Sequence, residues 1–140
     1  VEGWGLYSER LADEMGLYSS DLQRIGMLSA DVWRASRLVV DTGMHALGWT
    51  RQQAVDYMVE NTPVAPIDVE AEIDRYIAMP GQALSYMTGR MEIEALRARA
   101  ESALGDEFDI KAFHDLVLAS GALPLAVLGE VVDDWIAEVS

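Results

Sequence analysis

The sequence contains no cysteine, which excludes disulfides, thiolate nucleophiles and cysteine-ligated metals. It is also poor in basic residues: 10 Lys and Arg stand against 24 Asp and Glu, a net charge of −14. So acidic a surface repels phosphate backbones and anionic lipid, and no nucleic-acid partner is expected. No apolar run reaches the ~18 residues of a membrane span, and no basic-then-apolar leader opens the chain. Membrane insertion is therefore not expected of this segment, and without a targeting signal to read the compartment stays open. Runs of alternating β-branched residues, internal repeats and low-complexity tracts are all missing.

What is present is enough to fold. Of 140 residues, 51% are hydrophobic, and a compact chain of this length buries roughly 68% of the surface that its unfolded form exposes. The periodicity is helical nearly throughout and predicts an all-α domain of about seven helices in an irregular bundle, spanning residues 1–140. Val1 to Met15 reads as the first helix, stopped by Gly16. Ser20 or Asp21 can cap a long second helix reaching about Leu47, whose apolar positions Leu22, Ile25, Leu28, Val32, Ala35 and Val39 step by three and four, the pattern of a face turned inward. Thr50 can cap a third through Glu60, broken by Thr62-Pro63 and Pro66. Asp68 can cap a fourth that ends before Pro80. Pro80 suits the first turn of a fifth helix running towards Leu104, with glycines at 81 and 89 as its weak points. Asp109 opens a sixth, stopped near Gly121, and Pro124 opens a seventh.

The most informative stretch is Glu2-Gly3-Trp4-Gly5-Leu6-Tyr7-Ser8-Glu9. Glu2 and Glu9, seven apart, share one helix face. Two glycines within one turn cost about 1 kcal/mol each against alanine, which predicts a close approach to the backbone there. On spacing alone, Glu2 reads as a carboxylate that complements the helix dipole. The stretch, continued by Ser-Glu-Arg-Leu-Ala, resembles the glutamate helix of zincin metallopeptidases, and most of all the bacterial family called domain of unknown function 885, a gluzincin-like relative of zinc carboxypeptidases. The similarity extends along the chain through Arg37-Leu38-Val39-Val40-Asp41-Thr42-Gly43-Met44-His45, then Arg75-Tyr76 and Pro80-Gly81-Gln82-Ala83-Leu84-Ser85-Tyr86. Phe113-His114-Asp115 with Gly121 and Leu123-Pro124-Leu125 supports it.

The resemblance implies a zinc-dependent hydrolase of peptide-like substrates. In such enzymes an H-E-x-x-H helix supplies two histidine ligands and a general base, and a glutamate on a later helix supplies the third ligand. Carried over, Glu2 is the metal ligand and Glu9 a carboxylate that orients a metal-bound histidine. No H-E-x-x-H occurs in this sequence, whose only histidines are His45 and His114. With Val1 as its first residue, the chain is therefore expected to be the C-terminal part of a longer enzyme. By itself it is expected to be inactive and not to retain zinc, its partner being the N-terminal catalytic region.

Other candidates have two readings each. Asp41 and His45 lie four apart on the second helix, with Arg37 four before Asp41. Such a row can hold the imidazole in one tautomer, or merely pair charges on a wet face. The apolar surroundings favour burial and use. The resemblance turns His45 towards a substrate carbonyl or its oxyanion. Tyr86 is the second candidate catalytic donor, or else a tyrosine satisfied locally. Arg75 and Tyr76 can bind a substrate carboxylate, although pairing of Arg75 with Glu72 or Asp74 is slightly preferred. His114 reads as structural. Met27, Met79, Met87 and Met91 read as core filler, and the Glu92, Glu94, Arg97, Arg99, Glu101 set as a solvated face. The rival function is a stand-alone acidic helical module that binds another protein without catalysis. Under either reading an exposed apolar face is expected, with homodimerisation through it.

Overall fold

Five of the seven helices open at a capping side chain or a proline, which meets or removes an orphan donor of the first turn. The computed structural model describes residues 1–140. It contains seven α-helices and no strand: α1 (Glu2–Glu14), α2 (Asp21–Ala46), α3 (Arg51–Asn61), α4 (Pro66–Ala78), α5 (Ser85–Leu104), α6 (Ile110–Ala119) and α7 (Leu125–Val139). Ser20 caps α2 by accepting from the Gln23 amide, and Asp109 caps α6 by accepting from the Lys111 amide. At α3 the capping is reciprocal: Thr50 accepts from Gln53, and the Gln53 side chain accepts from the Thr50 amide, so two orphan donors are satisfied together.

Two boundaries differ from the sequence expectation. Helix α4 starts at Pro66, not at Asp68. Proline has no N–H to lose at the first helical position and arrives with a helical φ. Helix α5 starts at Ser85, not at Pro80, and is preceded by a short 3-10 turn over Gln82–Leu84. Gly81 has φ of 80°, a left-handed value that cannot continue a right-handed helix. Its amide is drawn to the buried Asp41 carboxylate, 3.2 Å from each oxygen.

The helices make two cores. One lies between α1, α5, α6 and α7, around Tyr7, Ile93, Leu96, Phe113 and Val132. The other lies between α2, α3, α4 and the 3-10 turn, around Val40, Met58, Val69, Ile73 and Tyr76. Asp31 of α2, buried, joins them by pairing with Arg10 of α1 and Arg90 of α5. Helix α1 packs chiefly along α5, and the backbones meet at Gly3 and Gly89. A Cβ added at Gly89 would stand 2.9 Å from Gly3 Cα, and one added at Gly3 would stand 2.7 Å from the Arg90 amide nitrogen. The close approach expected from the glycine pair is thus real at Gly3. It is absent at Gly5, where a Cβ would meet nothing within 4 Å.

The largest departure concerns α2. Its apolar row does not face a core: Leu22 is 78%, Ile25 58%, Leu28 46%, and both Val32 and Val39 more than a third exposed. The row turned inward is the polar one, with Asp31, Arg37 and Asp41 buried. Charge pairing across α1, α4 and α5 sets the rotation of α2, and the apolar stripe is left on the opposite side. Of the four methionines read as core, Met27 and Met87 are buried, whereas Met79 and Met91 are exposed.

These contacts predict contrasting effects on thermal unfolding. Gly3→Ala should destabilise by about 1–3 kcal/mol through overpacking, while Gly5→Ala should stabilise by up to about 1 kcal/mol. Leu96→Ala should cost about 2–5 kcal/mol, and Ile25→Ala should stay within about 0.5 kcal/mol of the parent. Calorimetry of the four variants checks both pairs.

Candidate functional site

Segments that are far apart in sequence converge where α2 meets α4, the 3-10 turn and α5. Arg37, buried on α2, lies at the centre. Its Nε donates to the Tyr76 hydroxyl at 2.8 Å and its Nη2 to Glu72 at 3.1 Å. The guanidinium carbon stands 4.6 Å from the Tyr86 ring, 5.0 Å from Trp33 and 5.6 Å from Tyr76, an aromatic cage that holds the cation by quadrupole attraction. Tyr76 donates its hydroxyl to Glu72 at 2.7 Å. Arg75 grips the same carboxylate at 2.9 and 3.2 Å and donates to Gln82 at 2.9 Å.

The charges are balanced accordingly. Burial by itself would raise the Glu72 carboxyl, but hydrogen bonds from Arg75 and Tyr76 and the charges of Arg75 and Arg37 outweigh it and hold it below its ordinary range. Burial, then the bond to Glu72, pushes the Tyr76 phenol up, so it remains a donor.

Of the residues singled out by sequence, Arg37, Asp41, Arg75, Tyr76 and Tyr86 come together here. His45 lies at the edge, exposed, with its Nε2–H donating to the Tyr76 carbonyl at 3.1 Å. The expected Asp41–His45 pair does not form. Asp41 is taken by the Gly81 amide, and the imidazole is fixed by a backbone carbonyl instead. Arg75 pairs with Glu72, as the preferred alternative had it, whereas Asp74 pairs with Arg51. Tyr86 is held between Arg37 and, at 6.0 Å, Arg34. Its hydroxyl makes no hydrogen bond within the chain.

Glu9 reaches this junction only indirectly, through Arg34 at 3.6 Å. Glu2 lies about two helical turns further along α1. Half-buried, it makes neither ion pair nor hydrogen bond, and it lines a cavity of about 640 Å³ between α1, α5 and the α6–α7 turn. One carboxylate is a single donor, where a catalytic zinc takes three from protein. No group of three His, Asp or Glu side chains is arranged to hold a metal ion. The residues of this chain do not by themselves make a zinc site.

Sequence reasoning passed over Trp33, Arg34, Gln82 and Asp31. The signal available was the polar spacing Asp31, Arg34, Arg37, Asp41, His45, which steps by three and four as regularly as the apolar row. It also took Arg97 as solvated. Arg97 instead donates to Tyr7 at 3.3 Å and Glu14 at 2.8 Å. Tyr7 in turn donates to His114 Nε2 at 2.7 Å, and Trp4 stacks edge-on against the imidazole at 5.4 Å. Burial first, and then the nearby Arg97 charge, depress the His114 pKa, so the ring is neutral and accepts.

This depression has a definite sign. The unfolded chain binds the His114 proton first, at about pH 6.5. The stability contribution is full above that pH and is lost as pH falls through the lower folded pKa. Melting curves from pH 7.5 to 5.5 should fall more steeply for the parent than for His114→Gln; equal slopes would contradict the relay.

Comparison with known proteins places the chain. No curated protein matches it. The crystal structure of a protein from Colwellia psychrerythraea, described as a "putative lipoprotein", is similar with a TM-score of 0.95 and 52% identity over 98% of this chain. The chain spans only 24% of the length of that protein. The family model "Bacterial protein of unknown function (DUF885)" matches residues 1–132. The chain therefore belongs to the bacterial family called domain of unknown function 885.

Proposed function

We propose that this chain is one part of a larger zinc-dependent hydrolase of peptide-like amides. To that enzyme it contributes the Glu2 carboxylate as one metal ligand, and a junction that binds and polarises substrate. The observation that carries the reading is Glu2 itself: a half-buried carboxylate without a partner, beside a cavity, in a protein whose arginines are all engaged with carboxylates. A carboxylate that is neither paired nor fully solvated is poised to take a cation.

In this reading Tyr86 and His45 are the donors to a substrate carbonyl or its oxyanion. The clamp of Arg34 and Arg37 fixes the Tyr86 ring while its hydroxyl stays uncommitted, and preorganised donors of this kind need no reorganisation during the reaction. Arg37, Asp41, Arg75 and Tyr76 shape the cleft: Asp41 pins the Gly81 turn that leads into Tyr86, and Arg75 ties Gln82 to α4. Glu9, paired with Arg34, steadies the same clamp and serves as the carboxylate that orients a histidine supplied from elsewhere.

The other metal ligands belong to the rest of the polypeptide, the N-terminal catalytic region, which is also the partner of the exposed α2 stripe. The family neighbour is about four times as long as the segment matched here, so there is chain to cover such a face. That stripe favours a second reading as well, an acidic helical module that binds another protein, or a second copy of itself, without catalysis. Metal retention separates the two.

In the intact polypeptide that carries this segment, Glu2→Gln should lower bound zinc by at least about tenfold, measured by inductively coupled plasma mass spectrometry, with an unchanged circular dichroism spectrum. Full zinc occupancy in that variant overturns the ligand assignment and leaves the binding-module reading.

A further inference from the structure

The cavity beside Glu2 is not explained by the polar junction, since none of the residues that line it takes part in that network. Its wall is apolar, made by Trp4 of α1, Ile93 of α5, Val117 of α6, Leu123 of the α6–α7 turn and Leu128 of α7. The polar groups gather at one edge: Glu2, Ser85 and Thr88. Its volume of about 640 Å³ falls within the range of roughly 300–1,000 Å³ typical of small-molecule sites. An apolar wall with a few polar groups at the mouth is the usual pattern of a site that takes an apolar group and fixes its polar end.

The walls are held by close packing. The Gly3–Gly89 contact sets the α1–α5 spacing from inside the cavity lining, since both glycines line it. Trp4 is held on its far side by His114, edge-on, and by Tyr7 at 5.4 Å. Pro124 starts α7 and fixes the turn. A cavity so framed cannot collapse to fill itself, and an unfilled apolar wall forgoes dispersion contacts that a ligand would restore.

We infer that this cavity is a pocket for a bulky aliphatic or aromatic side chain of the peptide-like substrate, and that it selects such residues next to the bond presented at Glu2. The inference rests on the proposed function for the nature of the ligand. The pocket itself is a property of this chain and is measurable without metal. Each further methylene buried strengthens binding, so leucine and phenylalanine side chains should be held well above alanine.

The test is titration of the 140-residue chain with N-acetyl-leucinamide, N-acetyl-phenylalaninamide and N-acetyl-alaninamide. Binding is followed by the Trp4 indole resonance in nuclear magnetic resonance spectra. The leucine and phenylalanine amides should shift it saturably, with affinity at least about tenfold above that of the alanine amide. Thr88→Phe, at an exposed position of the mouth, should abolish the effect without lowering the melting temperature; if that variant unfolds, Ala122→Phe blocks the opposite side. Absence of a saturable shift, equal affinity for the alanine amide, or binding that survives a folded mouth variant overturns the pocket. Failure of the hydrolase reading looks different: zinc kept by Glu2→Gln in the intact polypeptide, with side-chain selectivity in the cavity unaltered.

Discussion

Asp31 is the one carboxylate on which the arrangement of this chain depends. It lies on α2, buried, and takes one arginine from α1 and another from α5. Charges removed from water are costly unless paired, and breaking one partner away from a buried pair costs about 3–5 kcal/mol. Three helices are thereby held to one rotational setting about α2. The two hydrophobic cores lie on either side of that tie and share no residue.

Once Asp31 is turned inward, helical geometry brings Arg34, Arg37, Asp41 and His45 onto nearly the same side, because each follows the last by three or four positions. The junction with α4 and the 3-10 turn follows from this. Arg37 meets an aromatic cage and the Glu72 carboxylate, and Asp41 meets the Gly81 amide. The same setting exposes the apolar stripe of α2, which a globular helix would ordinarily bury. The longest helix of the chain thus keeps three charges inside and presents Leu22, Ile25 and Leu28 to solvent.

The two candidate sites share no residue. In one, polar groups are committed to one another apart from the Tyr86 hydroxyl, the buried Trp33 indole N–H and the outer face of His45. In the other, a carboxylate without a partner borders an apolar cavity framed by the core of α1, α5, α6 and α7. The Gly3–Gly89 approach sets the α1–α5 spacing, since any side chain at either position would push α1 off α5. The cost of two glycines in the first helix is thus accounted for at one of them, and Gly5 has no structural explanation.

The helices themselves were legible in the sequence, because caps, breakers and periodicity are local. Ser20, Thr50 and Asp109 act where their side chains can reach an amide three residues away or fewer, and no distant residue is needed. The membership of the family was legible for a similar reason: the segments that carry it are contiguous strings. The starts of α4 and α5 were misread because proline and glycine each allow two outcomes, and the choice at Gly81 is made by Asp41, forty positions earlier. Which face of α2 turns inward was beyond local reasoning altogether. Apolar and polar rows have the same period along that helix, so periodicity cannot rank them; the pairing of Asp31, Arg37 and Asp41 with groups on three other helices does. The cavity likewise belongs to no segment. It exists only because α1, α5 and the α6–α7 turn are held apart by contacts that form when the chain is folded.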